Sequence, residues 1–277
     1  MRTSLHRVAI ALPVAVLACL YESAVSAQAP SEPVDVAPTF ADAQQLFYNA
    51  SYEAAAALTL ELASPEGEGL AACELRTSAL LFQLKRLLGS QSDKGAAFKR
   101  CETCPALIAD FLRDTARGQT LARNKLKLDP TDEEALFFLG KIDLNYVWLQ
   151  LDPLGKKTGW NEYWEARRSL DAVLSRNPHH VRALVARAWI DYIVDTRLPR
   201  GTKWLLGGGG GKKRAMTVIR QAADAESDFF VRAEAGFALW EMQVRERRIA
   251  EAREVALGLA RDFPENRQLA DFLQRTK

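Results

Sequence analysis

The sequence predicts an all-α protein of antiparallel helix pairs, and three observations carry that expectation. Apolar residues such as Leu136, Leu139, Leu170, Val173, Ile219 and Leu259 recur at three- and four-residue intervals, the spacing of one helix face. Small residues fall where paired helices must approach closely: Gly140 and Ala188 in successive first helices, Ala166, Ala215 and Ala252 in successive second helices. Asp129-Pro130, Asn177-Pro178 and Phe263-Pro264 close second helices, because proline cannot continue a helix and biases the residue before it away from one. No run of alternating Val, Ile and Thr suggests a sheet.

Taken in order, the chain opens on a segment with a separate job. Arg2 and Arg7 precede an apolar run from Val8 to Leu20, and the small residues of 23–29 follow. This is the layout of a secretory signal peptide over 1–27, with cleavage after Ala27 or Ala29. Val16-Leu17-Ala18-Cys19 also resembles a bacterial lipoprotein signal, and lipidation of Cys19 would tether the protein to a membrane. Either route predicts an exported protein, periplasmic, secreted or lipid-anchored. Residues 28–38, with Pro30, Pro33 and Pro38, read as a linker, and 39–277 as one helical domain.

Helices are expected at 40–50 and 51–63, with Ser51 capping the second by its side chain. A long amphipathic helix follows over 69–88, stopped by Gly89. Residues 90–104 read as an irregular turn, and Pro105 opens a helix that runs to Asp129. Gly118 inside it reads as a close contact or a slight bend. Thr131 or Asp132 caps the next helix, 132–150. Further helices are expected at 160–177, 180–196, 211–225, 228–246, 248–262 and 265–275, the last as a cap on the final apolar face.

Within 130–188 the residues Ala135, Leu136, Leu139, Gly140, Trp160, Tyr163, Ala166 and Leu170 lead to Asn177-Pro178, after which Ala183, Leu184 and Ala188 restart the pattern. This resembles the tetratricopeptide repeat, a helix–turn–helix unit of about 34 residues. Pro130 to Pro178 spans 48 residues, Pro178 to Ser227 spans 49 and Ser227 to Pro264 spans 37, with Ser227 standing where proline is expected. The surplus lies in two inserts, 151–159 and 196–210, both rich in Pro, Gly and Lys and each with a Trp in or beside it.

The resemblance implies a right-handed α-solenoid of antiparallel helix hairpins. It also implies a non-catalytic scaffold or adaptor, without a cofactor, that binds a protein or peptide in its concave groove. Groove positions carried over from the family are Glu134, Phe137, Lys141, Arg182, Trp189 and Tyr192, followed by Glu234, Phe237 and Glu241. An insert rim is expected at Lys156, Lys157 and Trp160 and at Lys203, Trp204, Lys212 and Lys213. Two alternatives stand beside the adaptor. One is a small-ligand-binding lipoprotein of periplasmic transporter systems, the TatT type, for which an enclosed cavity would speak. The other is an α-helical enzyme.

A formal net charge of +2 argues against a nucleic-acid partner, which needs a concentrated basic surface. Cys101-Glu102-Thr103-Cys104 offers a possible disulfide, allowed in an exported protein. A thioredoxin-like role expects a βαβ context, and zinc needs more ligands than are present. Cys73 belongs roughly 30 Å away, near the far end of the preceding helix, at 1.5 Å of rise per residue. The Gly207–Gly211 run before Lys212 lacks the Ser or Thr of a phosphate loop. His179 and His180 read as exposed residues at a helix start. Asp143 and Asp191 occupy matching positions, suited to holding the inserts through Arg or Lys.

Overall fold

The computed structural model describes residues 38–62, 69–89, 93–156, 158–197 and 211–277. Among these residues all regular structure is helical: α1 (Phe40–Tyr48), α2 (Tyr52–Glu61), α3 (Leu70–Leu88), α4 (Lys94–Arg100), α5 (Cys104–Leu128) and α6 (Glu133–Leu151). The second half contributes α7 (Trp160–Arg176), α8 (Val181–Arg197), α9 (Gly211–Asp224), α10 (Phe229–Arg245), α11 (Ile249–Asp262) and α12 (Arg267–Arg275). The expected signal peptide, most of the linker and the second insert lie outside the described residues, Lys157, Lys203 and Trp204 among them.

Local chemistry sets the helix ends. Thr39 and Asp42 form a reciprocal capping box on α1. Asp132 caps α6 by accepting from the Ala135 N–H at 2.9 Å. Gly89 ends α3 with φ at +59°, where an L side chain is strained, after Lys85 and Arg86 have met the negative end of the helix. Two expectations are corrected. Residues 94–100, within the expected irregular turn, form α4, a single short helix capped by Asp93. Seven residues are too few to show a helical period, so the cap was its only local signal. Ser51 stands before α2, but its hydroxyl caps nothing, because a ψ of 57° departs from extended cap geometry.

Consecutive helices pack as pairs: α6 on α7, α8 on α9, α10 on α11. The helix α3 packs on both α5 and α6. Small residues mark the crossings. A Cβ on Gly140 would lie 2.9 Å from Leu170 Cγ and 3.2 Å from the Ala166 carbonyl. One on Gly118 would lie 2.6 Å from Ile142 Cδ1, so Gly118 is a contact point between α5 and α6. One on Gly236 would meet Leu259 Cδ2 at 3.1 Å, at the crossing of α10 and α11. Gly236 lies as far beyond Ala188 as Ala188 lies beyond Gly140, an alignment the sequence reading passed over.

The two ends of the described chain touch. Asn266 Nδ2 donates to the Tyr48 carbonyl at 2.7 Å, and the Glu265 N–H donates to Asn49 Oδ1 at 3.2 Å. The Tyr48 ring stacks on Phe230 and Phe237 and packs against Phe263. Helix α12 lies on α11, with Phe272 against Trp240.

The crossings yield a paired prediction. Gly140→Ala should cost about 1–3 kcal/mol through overpacking. Gly258→Ala, whose Cβ would meet only Arg261 Nη2 at 4.0 Å, should stabilise by about 0.5–1 kcal/mol through helix propensity. Denaturant unfolding of both variants checks this; equal effects would misplace the α6–α7 crossing.

Candidate functional site

Four helices present one face each to a common space. Glu74, Ser78, Leu81 and Lys85 do so on α3, and Lys141, Leu144, Asn145 and Trp148 on α6. Arg182, Val185, Ala186 and Trp189 do so on α8, and Glu234, Phe237, Ala238 and Glu241 on α10. All follow the three- and four-residue rhythm of a single helix face. With α1 and the start of α12 they line a cavity of about 890 Å³, whose walls are mainly apolar and aromatic.

A charged quartet sits in this wall. Lys141 Nζ lies 2.6 Å from Glu234 and 3.7 Å from Glu74. The Arg182 guanidinium lies 2.5 Å from Glu234 and 3.2 Å from Glu74. Each member comes from a different helix, and the charges cancel. Ser78 donates to Glu74 at 2.9 Å, Asn145 donates to Ser78 and Thr77, and Arg182 lies over the Phe137 ring at 4.8 Å. Burial alone would raise the Glu234 carboxyl; Arg182 and Lys141 outweigh it and hold it at about 2. Burial would lower Lys141 and Arg182, but Glu234 and then Glu74 hold both above their ordinary values. Burial also pushes the Tyr48 phenol well up.

Further along the wall, Lys85 pairs with Asp152 at 3.7 Å and Arg245 with Glu241 at 2.6 Å. Lys85 lies over Phe82, Arg86 over Tyr52 and Arg245 over Trp189.

Of the expected groove residues, Lys141, Arg182, Trp189, Glu234, Phe237 and Glu241 line the cavity. Three do not. Glu134 points to solvent and pairs with Lys125 at 2.6 Å. Phe137 is buried behind Arg182, against His180. Tyr192 is buried and donates its hydroxyl to Glu246. Glu74 and Tyr48 were missed. A carboxylate amid the apolar residues of α3 was the only sequence sign of the first, and nothing local announced the second.

Of the expected rim, Lys156 and Trp160 border the cavity, and Trp160 is 49% exposed. Lys212 instead pairs with Glu246 at 2.5 Å, its backbone N–H bonded to Asp195, and Lys213 is exposed. Cys101 and Cys104 form a disulfide at the start of α5, and Cys73 is buried beside Gly118. His179 is exposed, but His180 departs from expectation: it is half-buried, and its Nδ1 accepts from the Ala183 N–H at the start of α8.

Among the described residues neither Asp143 nor Asp191 pairs with an insert residue. Asp191 pairs with Arg187 one turn away on its own helix, while Asp143 is fully buried and accepts from Gln119 at 2.7 Å. Asp143 Oδ2 has no donor among the described residues, which suits a protonated carboxyl facing Glu165, itself held by Arg123. Burial pushes the Asp143 carboxyl up to about 8, and Glu165 adds to the rise while Gln119 and Arg123 offset part of it. Among the described residues no cluster of three or more His, Cys, Asp or Glu could hold a metal ion.

No protein-family model, curated protein or solved structure matches the chain.

Two outcomes follow. Glu234→Ala leaves Lys141 and Arg182 short of a partner and should cost about 3–5 kcal/mol. Glu134→Ala breaks an exposed pair and should stay within about 0.5 kcal/mol in denaturant unfolding. For Asp143, the folded carboxyl keeps its proton to about pH 8, against an ordinary value of 3.8. Its contribution to stability is full below that ordinary value and is lost as pH rises toward 8. Asp143→Asn should therefore flatten stability between about pH 5 and 8. The Glu165 shift is downward, so its contribution is lost only at lower pH, outside this window. An unchanged slope in the variant would assign the dependence to other groups.

Proposed function

We propose that this protein is a non-catalytic, exported binding protein whose cavity takes one small molecule. The observation that carries this reading is the cavity itself: about 890 Å³, walled by four helices, with apolar and aromatic sides and a few convergent polar groups. That size and lining are those of small-ligand sites, which commonly hold a ligand in 300–1,000 Å³. Contact between the α1–α2 turn and the α11–α12 turn narrows what an open peptide groove would leave free. The pairing of helices and the small residues at their crossings support a tetratricopeptide-like stack. The cavity is partly open to solvent, so its size and lining, and not enclosure, are what favour the transporter-associated, TatT-like reading over the peptide adaptor.

The non-catalytic reading rests on the quartet. Its shifts run away from neutrality, so Glu234, Lys141 and Arg182 keep their charges and hold one another instead of exchanging protons. Export rests on the N-terminal residues alone. Among the described residues no helix is long and apolar enough to cross a membrane.

The peptide adaptor remains the second reading because Trp160 and Leu151 both border the cavity and are exposed, as anchors for a partner would be. Native mass spectrometry of the folded chain, after incubation with a small-molecule and lipid extract, separates the two. The expected result is a one-to-one small-molecule adduct that disappears in Ala238→Trp, which places an indole in the cavity wall. A variant that still melts cooperatively is required. Absence of any such adduct, with a peptide bound at the same face, would overturn the proposal in favour of the adaptor.

A further inference from the structure

Among the described residues the cavity wall is not electrically balanced, and the imbalance points to the chemistry of its ligand. Four of these residues are carboxylates, Glu74, Asp152, Glu234 and Glu241, and each already pairs with a cation of the same wall. Six of them are cations, so two of the described cations are left over. Lys85, Lys141, Arg182 and Arg245 are the paired ones. Arg86 and Lys156 have no carboxylate partner among the described residues; the Arg86 guanidinium reaches only the Ala50 carbonyl at 3.1 Å and the Tyr52 ring. The two lie on neighbouring pieces of chain, because the Lys85–Asp152 pair joins the end of α3 to the end of α6.

The aromatic lining bears on the ligand as well. Three of its rings already hold a cation: Phe82 holds Lys85, Tyr52 holds Arg86 and Trp189 holds Arg245. Beyond these three rings the wall stays largely apolar and aromatic. Spare positive charge calls for a ligand that brings negative charge, while the aromatic wall calls for an apolar body.

We infer that the cavity binds an amphipathic organic acid, its apolar chain or ring against the aromatic wall and its carboxylate toward Arg86 and Lys156. This deepens the small-molecule reading and rests on it.

The test titrates the folded full chain with three ligands of equal length: decanoate, decanol and decyltrimethylammonium, each below its aggregation concentration, by isothermal calorimetry. Decanoate should bind about tenfold tighter than decanol, the scale of one charge-assisted contact, with the ammonium weakest. The preference should shrink with added salt. Arg86→Gln with Lys156→Gln should remove the decanoate advantage and leave decanol binding unchanged; loss of the Arg86 contacts with Ala50 and Tyr52 should lower the melting temperature slightly, and the exposed Lys156 should not affect it. Lys156→Gln alone serves if the double variant folds poorly. Equal binding of all three, or a preference for the ammonium, would overturn the organic-acid inference and leave the small-molecule cavity standing. Decanoate binding that ignores both substitutions would overturn the assigned head-group site. Failure of all three to bind would overturn both readings.

Discussion

Two carboxylates and two cations, drawn from α3, α6, α8 and α10, meet inside a largely apolar space, and the arrangement of those helices depends on their meeting. A buried charge is costly unless it is paired and hydrogen-bonded. Glu234 satisfies Lys141 and Arg182 together, and Glu74 reaches the same two from the other side. Ser78 and Asn145 complete the hydrogen bonding around Glu74. Because the four contributions cancel, the cluster can stay charged away from bulk water and still leave the rest of the wall apolar. It fixes the spacing of four helices whose other contacts here are mainly aromatic and aliphatic, with Asn145 of α6 bonded to Thr77 and Ser78 of α3 beside it.

Closure depends on a second device of a different kind. Tyr48 carries no charge, yet its ring lies among Phe230, Phe237 and Phe263, and its carbonyl accepts from Asn266. Asn49 and Asn266 are both buried, and each satisfies a backbone group of the opposite end. The beginning of the helical body therefore covers part of the face that its end presents. Phe40, Gln44 and Phe47 of α1 then become cavity wall, although none belongs to a first helix of the aligned units.

The helical class, the crossings and most helix ends were legible because each rests on short-range patterns: apolar spacing, small residues, caps and prolines. Six groove positions reached the cavity for the same reason, since a first helix in the right register turns Lys141, Trp189 and Phe237 inward. Glu134 missed because it sits in the first turn of α6, within reach of Lys125 at the end of α5. Tyr192 missed because its hydroxyl is bonded to Glu246 instead. Glu74 could not be placed in advance, because α3 did not align with the repeating units and its partner Arg182 is 108 residues away. The contact between Tyr48 and Asn266, across 218 residues, leaves no periodic trace in the sequence.

The central claim is that four helices close around one shared cluster of buried charge. A double-mutant cycle on Glu74→Gln and Arg182→Gln, read by denaturant unfolding, tests it most directly, because this pair joins α3 to α8. The account predicts a coupling free energy of about 1–3 kcal/mol, as for residues within one charge network. Additivity within about 0.5 kcal/mol would mean that the two side chains do not meet, and would contradict the account.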